Sequence, residues 1–172
     1  SFSNGDVPRL LTVGRFTNQK GFDLAIKAAS ILKQNDVDFK WFFIGSGEQE
    51  QEYRKLISEY DVEDRVIILG RKNNPYPYIK KCDIYIQPSR HEAYGLVVHE
   101  ARILNKPIIC SRFAGSEQII DGRTGYIVPV GNVEKLANAI HCLLINPAKQ
   151  NEFVTAIKDE LSTNNDWSSI KR

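Results

Sequence analysis

The sequence predicts an α/β fold: a doubly wound, mostly parallel sheet of about six strands with helices on both faces. Three observations predict it. Short apolar runs rich in β-formers recur along the chain, at Arg9–Val13, Phe39–Ile44, Arg65–Leu69, Cys82–Gln87, Lys106–Cys110 and Tyr126–Pro129. Stretches with helical spacing separate most of them, such as Phe22–Leu32 and Leu96–Leu104. Breakers stand where strands should stop: Gly14, Gly45, Gly70 and Pro88. Strand, helix and strand in alternation close through right-handed crossovers, which makes the sheet parallel.

At 172 residues the chain suits one domain with a full core. Residues 9–164 are expected to form it, with 1–8 a linker remnant and 165–172 a tail anchored by Trp167. A net charge of +2 without a basic run argues against nucleic acid. No apolar stretch approaches the ~18 residues of a membrane span, and no signal peptide is visible. The three cysteines, Cys82, Cys110 and Cys142, are odd in number and lack zinc spacing, so they read as reduced thiols, mostly buried. The chain has no methionine, even at its start, and is expected to be a fragment.

In order, the first strand ends at Gly14 and feeds the basic loop Arg15-Phe-Thr-Asn-Gln-Lys-Gly21, then the alanine-rich helix from Phe22. Such a loop between glycines suits phosphate, because glycine lets the backbone approach and the helix start favours an anion. Gly45-Ser-Gly47 follows the second strand, but Glu48, Glu50 and Glu52 come next and would repel phosphate. It reads as a tight turn before a helix to Glu59. Asp36-Val-Asp38 precedes a strand, the wrong edge for a ligand in a parallel sheet, so a solvent turn is expected. Tyr76–Lys81 is at most a short helix interrupted by Pro77. Asn132 suits the cap of a helix from Val133 to Leu144, and Asn146-Pro147 starts another to about Leu161. His91, His99 and His141 read as polar surface.

Chemistry concentrates in Pro88-Ser-Arg-His-Glu-Ala-Tyr-Gly-Leu-Val-Val-His-Glu100, which runs from strand through loop into helix. Glu92 lies in the loop and Glu100 about one helical turn in. Together with Gly14-Arg15, Lys20-Gly21, Gly45-Ser-Gly47, Val66–Gly70, Lys106-Pro107, Glu117–Gly122 and Gly125, in that order and spacing, the chain resembles the C-terminal half of family 4 (group 1) retaining glycosyltransferases. These are GT-B enzymes built from two Rossmann-like domains.

The resemblance implies that Arg15 and Lys20 hold the diphosphate of a nucleotide sugar, that Glu92 sits beside the donor sugar and that Glu100 binds ribose hydroxyls. Backbone near Arg71 would meet the base, uridine or guanosine, and Gly14, Tyr94, Gly95 and Leu96 would complete the substrate-binding set. It further implies no metal or other cofactor, a glycan or lipid-linked acceptor bound by an N-terminal domain, and no activity without that domain. Polysaccharide biosynthesis in the cytoplasm, with membrane contact only through the other half, is the expected setting. Two other readings stay open on the residues: a nucleotide-binding regulatory module that lost the chemistry, and a nucleotide-sugar epimerase. The family usually has glycine at the position of Asn105, where a helix ends in a left-handed turn, a conformation that asparagine also tolerates. It usually has Gly-Gly before the position of Glu117. Phe113-Ala-Gly115-Ser116 stands there instead, which leaves that loop's shape open.

Overall fold

The computed structural model describes residues 5–164. Its elements are β1 (Arg9–Val13), α1 (Phe22–Gln34), β2 (Lys40–Ile44), α2 (Glu50–Glu59), β3 (Val66–Gly70), α3 (Tyr76–Lys81), β4 (Ile84–Gln87), α4 (Leu96–Ile103), β5 (Ile108–Ser111), β6 (Gly125–Val128), α5 (Val133–Leu144) and α6 (Pro147–Asn164). Short 3-10 turns at Asn18–Lys20 and Ser116–Gln118 follow β1 and β5. The six strands form one sheet in the order β3-β2-β1-β4-β5-β6, and every pairing is parallel.

Side chains alternate across each strand, so the sheet feeds two cores. Leu10, Trp41 and Phe43 face a cluster with Phe22 and Ala25 of α1, Tyr53 of α2, Ile140 of α5 and Phe153 of α6. Leu11, Phe42 and Tyr85 face the other, with Ile79 of α3 and Val98 and Ala101 of α4. The first core is aromatic at its centre: Phe22 meets Phe16 and Phe43 edge-on, at 4.7 and 4.9 Å between centroids.

The expected elements are all present. Asn105 adopts the left-handed conformation at φ 57°, and the Asn132 side chain accepts from the Lys135 amide as a helix cap. Pro77 does not interrupt α3. It falls in the first turn, where its missing N–H would have had no partner inside the helix. Helix α6 continues past Leu161 to Asn164. The tail 165–172 with Trp167, and residues 1–4, lie outside the described residues.

What positions the site is the order of the strands. Connections from β1 run outward to β2 and β3, and those from β4 run the opposite way to β5 and β6. A crevice therefore opens beyond the carboxyl ends of β1 and β4, where the two runs part.

Candidate functional site

Two loops rim that crevice, one after β1 and one after β4, and glycines let them close on one another. Gly21 is left-handed at φ 70°, and a Cβ there would run into the Pro88 carbonyl oxygen. Behind the first loop, a Cβ on Gly45 or Gly47 would strike the backbone of Gly14 or Phe16. These two glycines thus serve a close backbone packing, with Phe16 N–H donating to Ser46 O at 2.9 Å and Gln49 N–H to Phe16 O at 3.0 Å.

Charge pairs then join the loops. Lys20 Nζ donates to Glu92 Oε1 at 2.6 Å, with the two side chains 22% and 13% exposed. Arg90 grips both carboxylate oxygens of Asp23, at 2.8 and 2.6 Å, and also donates to Asn18 O. A bidentate fork of this kind fixes orientation as well as distance. Burial raises the Asp23 pKa, but the Arg90 hydrogen bond and charge outweigh it and hold the carboxyl below its ordinary value.

Beneath Glu92 lies a buried polar chain. Ser89 Oγ donates to Glu92 Oε1 at 2.8 Å, Gln87 Nε2 donates to Ser89 Oγ at 2.8 Å, and Tyr85 OH donates to Gln87 Oε1 at 2.6 Å. Burial pushes the Tyr85 pKa well above its ordinary value, so this hydroxyl keeps its proton.

Beyond Glu92, Gly95 begins α4 in a left-handed conformation at φ 62°, and a Cβ there would press on Phe113 and Gln118. Gly115 approaches the Tyr94 carbonyl so closely that a Cβ would clash with it. The 111–116 loop is thus packed directly against the start of α4. Glu100 accepts from Tyr76 OH at 3.1 Å, and that hydrogen bond raises the Tyr76 pKa.

The crevice holds two hollows. One, of about 240 Å³, is lined by Lys20, Gln87, Glu92 and the 93–98 segment, including Tyr94, Gly95 and Leu96. The other, of about 400 Å³, is lined by Gly14, Arg15, Ser46, Arg71 and Lys72 among others. Lys20 and Arg15 thus lie in different hollows on either side of one loop, and the methylene stem of Lys20 lies over Gly14. Glu100 lines neither.

Sequence reasoning missed Tyr76, the Tyr85–Gln87–Ser89 chain and the Arg90–Asp23 fork. Only Ser89 had a signal, as the residue closing the Pro-Ser strand end. His91 and His99 are exposed and line neither hollow. Burial pushes the Cys82 and Cys110 thiols up to about 12, which leaves them poor nucleophiles, while Cys142 is exposed. Asp38, at the opposite sheet edge, pairs with Arg65 at 3.1 Å. Among the described residues there is no group of three or more His, Cys, Asp or Glu placed to hold a metal, and no helix long and apolar enough to cross a membrane.

The model of the family described as Glycosyl transferases group 1 matches residues 1–160. The chain is 32% identical over 168 residues to a D-inositol 3-phosphate glycosyltransferase of Pseudarthrobacter chlorophenolicus, covering 92% of this chain and 39% of that one. It is similar to the C-terminal domain of the glycosyl transferase group 1 family protein LpcC from Francisella tularensis, with a TM-score of 0.81 at 22% identity, covering 92% of this chain and 86% of that one. It is also similar to HepE of Anabaena in complex with UDP-glucose, with a TM-score of 0.83 at 23% identity, covering 92% and 44% of the two chains. At such identities the two structures share this chain's fold. The chain spans about two fifths of the length of the curated relatives it matches.

Proposed function

The chain belongs to the group 1 glycosyl transferases, and from that premise we propose that it is the donor-binding half of a retaining glycosyltransferase. The observation that carries this reading is the Lys20–Glu92 pair at 2.6 Å, set over a hollow where the strand order reverses. A cation and an acceptor held side by side suit a ligand that presents phosphate oxygens beside sugar hydroxyls. The UDP-glucose held by HepE is a ligand of that class.

In this reading Lys20 and Arg15 face the diphosphate from the two hollows and stabilise its growing charge as it leaves, a task for fixed cations that needs no metal ion. Glu92 orients the sugar, Glu100 accepts from the ribose hydroxyls, and backbone at Arg71 meets the base, with Gly14, Tyr94, Gly95 and Leu96 completing the walls. The acceptor belongs to a second domain, consistent with the share of its relatives' length that this chain spans. Closing the cleft between domains would expel water and give the cations their leverage.

The test is turnover of UDP, GDP and ADP sugars with a panel of glycosyl acceptors, by the 172-residue chain and by the full-length protein. Transfer with retention by the full-length protein and none by the chain alone is expected. Comparable turnover by the chain alone would contradict the two-domain reading.

A further inference from the structure

Resting on the donor-binding reading above, we propose that Ser89, backed by Gln87 and Tyr85, is a positioning residue that dedicates the two oxygens of Glu92 to different tasks. Lys20 Nζ at 2.6 Å, Ser89 Oγ at 2.8 Å and Gln87 Nε2 at 3.4 Å all converge on Oε1. Among the described residues no hydrogen bond reaches Oε2. One oxygen is fixed by the protein, and the other remains for a hydroxyl of the donor sugar.

The donations can be followed along the chain, with the Tyr85 hydroxyl set between Gln87 Oε1 at 2.6 Å and the more distant Val13 O at 3.4 Å. Val13 N–H donates to Tyr85 OH at 3.3 Å, Tyr85 OH to Gln87 Oε1, Gln87 Nε2 to Ser89 Oγ, and Ser89 Oγ to the carboxylate. The orientation of the Gln87 amide is set by Glu92, since a carboxylate oxygen can only accept and so faces the amide nitrogen, at 3.4 Å, which leaves the amide oxygen to accept from Tyr85. Tyr85 and Ser89 are 0% exposed and Gln87 is 2% exposed. Apolar side chains would fill the same space without the cost of burying polar groups. A connected run of buried donors ending on one carboxylate oxygen is an aiming device, because each bond polarises the next and restricts its rotation. The Ser111 hydroxyl holds the backbone of the same stretch by donating to the Ser89 carbonyl. The chain starts at the end of β1 and finishes beside α4, so it ties the aim of Glu92 to the two central strands.

The test compares Ser89→Ala, Tyr85→Phe and Glu92→Gln in the full-length protein, with dissociation constants for UDP, UDP-glucose, GDP and GDP-mannose measured by calorimetry. The readout is the gain in affinity that the sugar adds to its nucleotide. Ser89→Ala is expected to reduce that gain about tenfold, as loss of an aimed charged hydrogen bond should. Binding of the plain nucleotide should stay within about twofold, since a merely structural defect would weaken both ligands alike. Tyr85→Phe, which keeps the ring, should act in the same direction and less, and it alone decides the matter should Ser89→Ala fail to fold. If Glu92→Gln loses the gain while both other variants keep it, the positioning inference is overturned and the donor-binding reading stands. If Glu92→Gln keeps it, or if neither sugar adds affinity in the unaltered protein, the sugar role of Glu92 falls and this inference with it.

Discussion

The two hollows at the carboxyl edge of the sheet are built on opposite principles. Around Glu92, every charged or polar side chain that reaches the carboxylate is already paired, and the residues beneath it are buried. Around Arg15 and Arg71, the guanidinium groups are exposed and make no side-chain hydrogen bond or ion pair among the described residues. The first arrangement is rigid and works in a low dielectric, where a misplaced group is costly. The second is solvated, adaptable and weak until something covers it. A ligand spanning both would be aimed by one hollow and attracted by the other, and substitutions should separate those contributions.

The largest effect is expected from Gly21→Ala, which breaks the paired side. The added Cβ would meet the Pro88 carbonyl at a left-handed position, forcing the two loops apart. A loss of about 2–4 kcal/mol is expected by urea denaturation, together with weaker nucleotide binding. An unchanged midpoint would show that the loops are not held by close packing.

Next comes the fork. Arg90→Ala should cost about 1–2 kcal/mol, allowing for partial solvent exposure of the pair. The sign with pH follows from Asp23, whose carboxyl the Arg90 guanidinium holds below its ordinary pKa in the folded state. Its contribution is full above the unfolded pKa and is lost as pH falls through the folded one. The difference in stability between the unaltered chain and Arg90→Ala should therefore shrink in acid below about pH 4 and stay level near neutrality. A difference that instead grew in acid would place the stabilising charge elsewhere.

Smaller effects should divide the two glutamates. Glu100→Gln should weaken plain UDP or GDP by about fivefold, because an amide is a poorer acceptor than a carboxylate for two hydroxyls. Tyr76→Phe, which removes the hydroxyl on Glu100, should do the same by about twofold. Glu92→Gln should leave plain nucleotide nearly unaffected and impair turnover in the full-length protein. The reverse pattern, in calorimetry and steady-state kinetics, would exchange their roles.

The smallest change in stability is expected on the open side. Arg15→Ala should stay within about 0.5 kcal/mol of the unaltered chain. Its effect on diphosphate affinity should be visible at low salt and fade as ionic strength rises. A salt-insensitive loss would mean that Arg15 works in a closed environment.

How much of this was legible in the sequence follows the distance over which each feature is determined. The strand and helix pattern and the Asn132 cap are set by neighbouring residues and were readable from composition and spacing, while the left-handed Asn105 was readable from the glycine that the resembling family has at that position. Pro77 shows the limit of a local rule: a proline breaks a helix interior, and one residue of uncertainty in the helix start decides whether it lies inside. The Gly-x-Gly turn was readable as tight, but only the fold shows that Gly14 and Phe16 are what it packs against. The loop residues Lys20 and Glu92 were singled out separately, through a resemblance to a family. Their pairing across 72 residues has no periodic trace in the chain. The same holds for Arg90 with Asp23, 67 apart, and Tyr76 with Glu100, 24 apart. Such contacts exist only because strand order brings two loops together, and strand order is not written in any single stretch.

The central claim is that a nucleoside diphosphate sugar binds where β1 and β4 part. The most direct measurement is a backbone NMR titration of this chain with UDP, GDP and their sugars. The account predicts shifts concentrated at residues 14–21, 71–76 and 88–100. It also predicts a dissociation constant near ~1 mM for one of the two nucleotides, the value expected when about 4 kcal/mol survives the ordering of two long side chains. No shift at ~10 mM for any of them, or shifts confined to the β6 edge of the sheet, would contradict it.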